Sequence, residues 1–142
     1  MPWVNNFRYL GIVLVQSRNF RCSLSDAKKS FYRSLNAIFG RIGRQSSEEV
    51  VLQLMSSKCL PILLYGLEAC PLNKSDLNSL DFAVNRFLMK LFNTINVDII
   101  AECRSYFNVS SPSCSISHRA DTFVKKYSNC GNALCKILAG IG

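Results

Sequence analysis

The sequence predicts a mainly helical protein in which a short N-terminal β-strand or hairpin precedes a bundle of four to six helices. Residues 7–15, FRYLGIVLV, are apolar on both faces of an extended chain, which is typical of a strand inside a sheet. After residue 22, apolar side chains recur at spacings of three and four, the period of amphipathic helices. With 142 residues, 49% hydrophobic and 18% charged, the chain is long enough for one domain with a core.

The β element is predicted as one strand over residues 7–15. The polar run QSRN at 16–19 predicts a turn after it, and residues 19–22 predict a short return strand. Because both faces of the strand are apolar, we expect it to need cover on two sides or neighbours on both edges. No strong second strand follows in the sequence.

The first helix is expected over residues 26–43, with Ser23 or Ser25 as its cap. We expect one apolar stripe to face the core: Ala27, Phe31, Leu35, Ile38 and Ile42. The opposite face forms a ridge with three basic side chains: Lys29, Arg33, Asn36, Gly40 and Arg44. The glycines of GRIGRQSS predict the end of this helix.

Five further helices are expected. The second starts at Ser46 or Ser47, has glutamates in its first turn and is kinked or interrupted at Pro61. The third is capped by Ser75 after the break at 71–74. Its inner stripe is apolar: Leu77, Leu80, Val84, Phe87 and Leu91. Weaker patterns predict helices near residues 97–107, 115–127 and 131–139.

The net charge of +8 favours an anionic partner, nucleic acid or acidic lipid. Residues 1–45 hold eight of the 17 basic residues and one of the nine acidic ones, so the charge is concentrated there. The candidate nucleic-acid-binding residues lie on or next to the first helix: Lys28, Lys29, Arg33, Arg41 and Arg44. A charged helix face is often merely solvated, but this ridge lacks the acidic residues that normally intersperse such a face.

The seven cysteines do not fit the disulfide pattern of a secreted protein, because their number is odd, their spacing is wide and no apolar signal region precedes them. We expect reduced thiols in an intracellular protein of the nucleus or cytoplasm, most of them packed as small hydrophobes. The longest apolar run, 59–67, is shorter than the roughly 20 residues that span a bilayer, so no membrane segment is expected.

Four residues in the C-terminal part have side chains of the kinds that bind zinc: Cys114, His118, Cys130 and Cys135. Their spacing, C-x3-H-x11-C-x4-C, lacks the two-residue gap of a zinc knuckle, and a predicted helix lies between them. Buried or incidental thiols are therefore the favoured interpretation.

The chain also resembles a known family. Four segments, in this order and spacing, resemble the region just past the catalytic palm in reverse transcriptases of non-long-terminal-repeat retrotransposons, the LINE and jockey-like elements: FRYLGIVLV, NAIFGRIGR, KCLPILLYGLEAC and LNSLDFAVNRFLMKLFNT. The resemblance covers about residues 3–127. Tyr9, Leu10 and Gly11 resemble the primer grip, a hairpin at the palm edge that helps to place the primer end. The later helices resemble the thumb, which holds the template–primer duplex.

The resemblance implies two regions, a palm-edge β element over residues 1–22 and a helical thumb-like region over 23–142. The other strands of the palm sheet are not encoded in this sequence. The chain is thus expected to be a fragment, from a truncated element or a partial gene prediction that starts at an internal methionine. Its unpaired apolar strand is expected to promote self-association.

The resemblance further implies a non-catalytic part of an RNA-directed DNA polymerase. The family holds two Mg²⁺ ions with an aromatic-x-Asp-Asp box and a third aspartate, all upstream of this region. The aspartates here include no adjacent pair: Asp26, Asp76, Asp81, Asp98 and Asp121. We expect no polymerase activity and no cofactor in this chain. The implied partners are an RNA/DNA hybrid or duplex and the missing palm and fingers of the parent polymerase.

An alternative is a stand-alone helical module that binds nucleic acid or another protein and has no retrotransposon history. The two interpretations differ in what the DNA upstream of the Met1 codon should contain. Codons for an aromatic-x-Asp-Asp box, even decayed ones, favour the polymerase fragment, and their absence favours the module.

Overall fold

The computed structural model describes residues 3–42 and 45–141, without the side chains of Ala139 and Ile141. The predicted fold class is confirmed, since a short three-stranded antiparallel sheet precedes a series of helices that make up most of the chain. The strands are β1 (Asn6–Tyr9), β2 (Ile12–Val15) and β3 (Cys22–Ser23), in the order β1-β2-β3.

The prediction of a single strand over residues 7–15 is wrong, because the segment folds back on itself as a hairpin. Tyr9 pairs with Ile12 across a two-residue turn, in which Leu10 and Gly11 have φ angles of +48° and +85°. Two positive φ values in succession are the geometry of the tight hairpin turn whose twist matches that of the flanking strands. β2 then has both neighbours within this chain, since Leu14 also pairs with Cys22 of the predicted return strand.

The first helix, α1 (Ser25–Ile42), agrees with its prediction to within one residue at each end. The carbonyl oxygen of Leu24 accepts the first helical hydrogen bond, from the backbone N–H of Lys28 at 3.0 Å. Phe31 and Leu35 of the predicted stripe are buried, which places this face against the other helices.

The second helical stretch is interrupted next to Pro61, as the sequence predicts. Helix α2 (Glu48–Leu54) starts after its cap residue Ser47, continues as a π-helical segment (Met55–Cys59) and resumes as α3 (Leu60–Leu64). Because Pro61 has no N–H and its ring crowds the preceding turn, it disrupts the regular ladder, and the wider π turn lies just before it. A short 3₁₀ helix (Leu67–Ala69) ends the stretch.

The stretch Glu48–Ala69 is the one helix among residues 3–42 and 45–141 that is long and apolar enough to cross a membrane, by length and composition alone. It is longer than the apolar run at 59–67 on which the sequence-based expectation depended. It also supplies a large share of the core of the helical bundle: Val51, Leu52, Met55, Cys59, Leu63, Leu64 and Leu67. A core helix of a globular protein can be equally long and apolar.

Helix α4 (Lys74–Leu91) is capped by Asn73, so the prediction of Ser75 as the cap is wrong. The Asp76 N–H donates to Asn73 Oδ1 at 2.8 Å, and the Asn73 N–H donates to Asp76 Oδ2 at 3.2 Å. This reciprocal pair is a capping box, which satisfies two backbone donors at once. The inner stripe is as predicted at its centre, where Leu80 and Val84 are buried.

Three helices complete the chain: α5 (Val97–Tyr106), α6 (Pro112–Ser128) and α7 (Ala133–Ile141). Asn93 and Asn108 follow α4 and α5 with φ angles of +51° and +53°, the left-handed conformation that ends helices. The core lies between α1, the α2–α3 stretch, α4 and α6, and the sheet packs at its edge.

Candidate nucleic-acid interface

Three of the predicted cationic residues, Lys29, Arg33 and Arg41, are exposed on α1. Lys29 and Arg33 lie one turn apart on the side opposite the buried Phe31 and Leu35, and Arg41 lies nearer the flank of that side. From Lys29 to Arg41 the helix rises about 18 Å at 1.5 Å per residue. We name these three residues the basic ridge.

Of the other two predicted residues, Lys28 does not belong to this ridge. Lys28 is half-buried, and its ammonium group donates a hydrogen bond to the Ser79 hydroxyl on α4. It therefore links two helices of the bundle, a contact that the sequence pattern did not reveal. Arg44 lies outside the residues that the structure describes.

A single ion pair is found within the described ranges, between Arg8 Nη2 and Asp26 Oδ2 at 3.7 Å. It joins β1 to the first turn of α1, with both side chains about half-exposed. Asp26 is the one acidic residue among the first 45 residues, and it forms its ion pair with Arg8. The basic ridge thus keeps its charge without an acidic partner in the described part of the chain.

Sequence reasoning missed one cation beside α1. The ammonium group of Lys90, on α4, lies 5.0 Å from the centre of the Phe39 ring on α1. A cation over an aromatic face is attracted by the ring quadrupole. The exposed Lys90 side chain therefore adds positive charge near the C-terminal end of α1, and only the packing of the two helices reveals it.

The primer-grip-like residues Tyr9, Leu10 and Gly11 all lie at the hairpin turn and are exposed. The hydroxyl of Tyr65, just after α3, donates a hydrogen bond to the Leu10 carbonyl oxygen at 3.1 Å. A Cβ atom on Gly11 would lie 3.0 Å from Tyr65 Cε1, so the ring packs closely on the turn. Tyr65 belongs to the predicted helix segment, but nothing in the sequence indicated this contact.

A cavity of about 390 Å³ separates the hairpin from the start of α1 and from α3. Its wall is mainly apolar and includes Ile12, Leu24 and Ile62, while Arg8 and Asp26 also line it. The hairpin turn and the first turn of α1 therefore border one common surface of the protein.

The structure does not bring three or more of the four candidate zinc ligands together. Among the residues that the structure describes, no group of three or more histidine, cysteine, aspartate or glutamate side chains could hold a metal ion. Cys114 and His118 are exposed one turn apart on α6. Cys130 follows α6 and Cys135 lies in α7, and partial desolvation together with the neighbouring Cys130 thiol raises the pKa of the Cys135 thiol.

Four of the five aspartates occupy structural positions, on α1, α4 and α5. Asp26 pairs with Arg8, and Asp76 completes the capping box of α4. Asp81 accepts hydrogen bonds from the Ser113 N–H at 3.0 Å and the Ser113 hydroxyl at 2.8 Å, and so stabilises the start of α6. Asp98 lies in the first turn of α5, where a carboxylate favours the helix dipole. Within the described ranges, none of these carboxylates belongs to a group of three or more possible metal ligands.

Comparison with protein-family models, with curated proteins and with solved structures finds no match to this chain. The resemblance to retrotransposon reverse transcriptases stays a prediction from the sequence. The surface itself offers an exposed row of cations on one helix and an exposed hairpin turn close to the start of that helix.

Proposed function

We propose that this chain is a non-catalytic part of a retrotransposon RNA-directed DNA polymerase and that it holds the RNA/DNA template–primer duplex. The observation that carries the proposal is the basic ridge, Lys29, Arg33 and Arg41, which is exposed and has no acidic partner among the described residues. Cations in this arrangement can contact successive phosphates of a nucleic-acid backbone, which supply affinity without reading sequence.

The position of the hairpin supports the same role. Two polar contacts join it to the helical region: the Arg8–Asp26 ion pair at the start of α1 and the hydrogen bond from Tyr65 to Leu10. A duplex that lies along the basic ridge can therefore also contact the turn formed by Leu10 and Gly11. This arrangement is consistent with the primer-grip role that the sequence resemblance implies.

The placement of the carboxylates supports a role in binding without polymerisation. Nucleotide transfer in this family needs two Mg²⁺ ions held by neighbouring carboxylates. Here Asp26, Asp76 and Asp81 each stabilise a different local contact on the fold. The chemistry is assigned to the palm and fingers of the parent polymerase, which are the proposed protein partner.

Exposed apolar side chains around the hairpin favour a second candidate, a module that binds another protein. Trp3 is 95% exposed, and Phe7, Tyr9, Leu10 and Phe20 are each more than half exposed. Such a group of apolar residues on a surface often marks an interaction site. A protein-interaction module needs no affinity for nucleic acid, and this difference separates the two candidates.

The test compares the salt dependence of binding to an RNA/DNA hybrid for the parent protein and for the triple variant Lys29→Gln, Arg33→Gln, Arg41→Gln. Glutamine has a helix propensity close to that of lysine and arginine, so the fold should persist. Each lost phosphate contact reduces the slope of log K against log salt by roughly 0.7–0.9. The triple variant should therefore flatten the slope by about 2–3.

A matched control removes three charges elsewhere, with Lys74→Gln, Lys125→Gln and Lys126→Gln. These residues are exposed on α4 and α6. For this control variant we expect a slope of log K against log salt close to that of the parent protein. Equal losses from both triple variants mean that charge acts only diffusely, and failure of the parent protein to bind favours the protein-interaction module.

A further inference from the structure

Two cysteines that are 48 residues apart in the chain meet at the junction of the sheet and the helices. Cys22 Sγ lies 2.9 Å from Cys70 Sγ. Cys22 is in β3, and Cys70 follows the 3₁₀ helix. A disulfide bond is about 2.05 Å long, so the sulfur atoms need approach by only about 1 Å to form one.

The backbone holds both thiols in place. Cys22 is 9% exposed and pairs with Leu14 of β2. The Cys70 N–H donates to the Leu67 carbonyl oxygen at 3.2 Å, and the Cys70 thiol also donates to the Gly66 carbonyl oxygen at 3.5 Å. The two sulfur atoms are thus positioned by ordered elements on either side of the junction.

We propose that Cys22 and Cys70 form a reversible disulfide, with a peroxide as oxidant, that covalently joins the sheet to the helical region. One sulfur of the pair attacks one peroxide oxygen, the O–O bond breaks, and one water leaves with formation of a sulfenic acid. The other sulfur then attacks the oxidised sulfur, the S–O bond breaks, and the second water leaves. Two thiols lose two hydrogen atoms, and hydrogen peroxide is reduced to two waters.

The surroundings of the pair lower the reactivity of the Cys70 thiol. Burial, the hydrogen bond to Cys22 and the nearby Glu68 carboxylate raise the pKa of the Cys70 thiol to about 12, which keeps it protonated at neutral pH. The thiolate is the nucleophilic form of a cysteine.

The test uses the full chain, reduced and then exposed to hydrogen peroxide, with remaining thiols alkylated before digestion. Trypsin cuts after Arg21, Lys28 and Lys74, and a glutamate-specific protease cuts after Glu68, which separates Cys59 from Cys70. The expected product is peptide 22–28 linked to peptide 69–74, with the mass of two hydrogens lost. Dithiothreitol should release the two peptides.

The oxidised protein should also melt at a higher temperature. Closing a loop of this length restricts the unfolded chain, which corresponds to a rise in Tm of roughly 5–10 °C. Cys22→Ser and Cys70→Ser should each abolish this rise. The matched control is the double variant Cys130→Ser, Cys135→Ser, which removes two other free cysteines and should keep the rise.

The peptide map of the parent protein decides the proposal even if a serine variant fails to fold. Alkylated Cys22 and Cys70 after oxidation, or either residue linked to a different cysteine, overturns it. If oxidation still raises the Tm of Cys22→Ser, the rise does not come from a disulfide to the sheet and the proposal is wrong.

Discussion

The hydroxyl of Tyr65 donates a hydrogen bond to the carbonyl oxygen of Leu10 at 3.1 Å, although the two residues are 55 positions apart. Leu10 is the first residue of the hairpin turn, and Tyr65 directly follows α3. The Tyr65 ring also packs within van der Waals distance of Gly11. The position of the hairpin on the bundle therefore depends on a side chain from a distant part of the sequence.

Tyr65→Phe should lower the free energy of unfolding by about 0.5–1 kcal/mol, because it removes the hydroxyl and keeps the ring. Urea denaturation followed by circular dichroism measures the change. Tyr106→Phe is the matched control, since Tyr106 is 81% exposed and its hydroxyl has no hydrogen bond within the described ranges. Equal effects of the two changes would contradict a stabilising contact at Leu10.

Leu10→Asn should stabilise the protein by about 1 kcal/mol. Leucine at a φ of +48° is strained, whereas asparagine followed by glycine is the preferred pair for this turn. Leu10 is 73% exposed, so little packing is lost. Leu10→Val provides the opposite control, because a β-branched residue tolerates positive φ poorly, and thermal denaturation should rank asparagine above leucine above valine.

Gly66→Ala should destabilise the protein by about 1–3 kcal/mol. Gly66 has a φ of +70°, and a Cβ atom there would lie 2.5 Å from Ile12 Cδ1 on β2. The control Gly40→Ala lies in α1 with no atom within 4 Å of the added Cβ, so it should stabilise by about 0.5–1 kcal/mol through helix propensity. Chemical denaturation of both variants should give changes of opposite sign.

Phe7→Lys should reduce self-association of the protein. Phe7 is 53% exposed on β1, which is an edge strand with an unpaired side, and a lysine on such an edge opposes pairing with another chain. Sedimentation velocity over a range of concentrations measures the effect. Phe82→Lys is the control, because Phe82 is 63% exposed on α4. A larger decrease from Phe82→Lys would place the association on the helices.

Sequence reasoning located the helices because their signals are local. The apolar spacing of Phe31 and Leu35 predicted the buried face of α1, and Glu48 after Ser47 predicted the start of α2. The cap of α4 could also have been predicted from the sequence. Asn73 and Asp76 have the three-residue spacing of a capping box, whereas Ser75, the predicted cap, has no such partner.

The hairpin turn was harder to predict, since FRYLGIVLV is apolar throughout and leucine rarely adopts positive φ. The glycine was the one local signal. Pairing of Tyr9 with Ile12 and the contact with Tyr65 make the turn favourable, and both are properties of the folded state.

The features of the candidate interface also divide into those that the sequence predicts and those that only the folded structure reveals. The concentration of positive charge and the helical spacing of Lys29 and Arg33 could be predicted from the sequence, because both depend only on residue type and on 3.6 residues per turn. Tertiary packing alone decided that Lys28 binds Ser79, that Lys90 lies over Phe39 and that Cys22 meets Cys70. Each of these contacts joins residues about 50 positions apart, and no local pattern encodes them, because the energy that brings them together comes from burying the shared core.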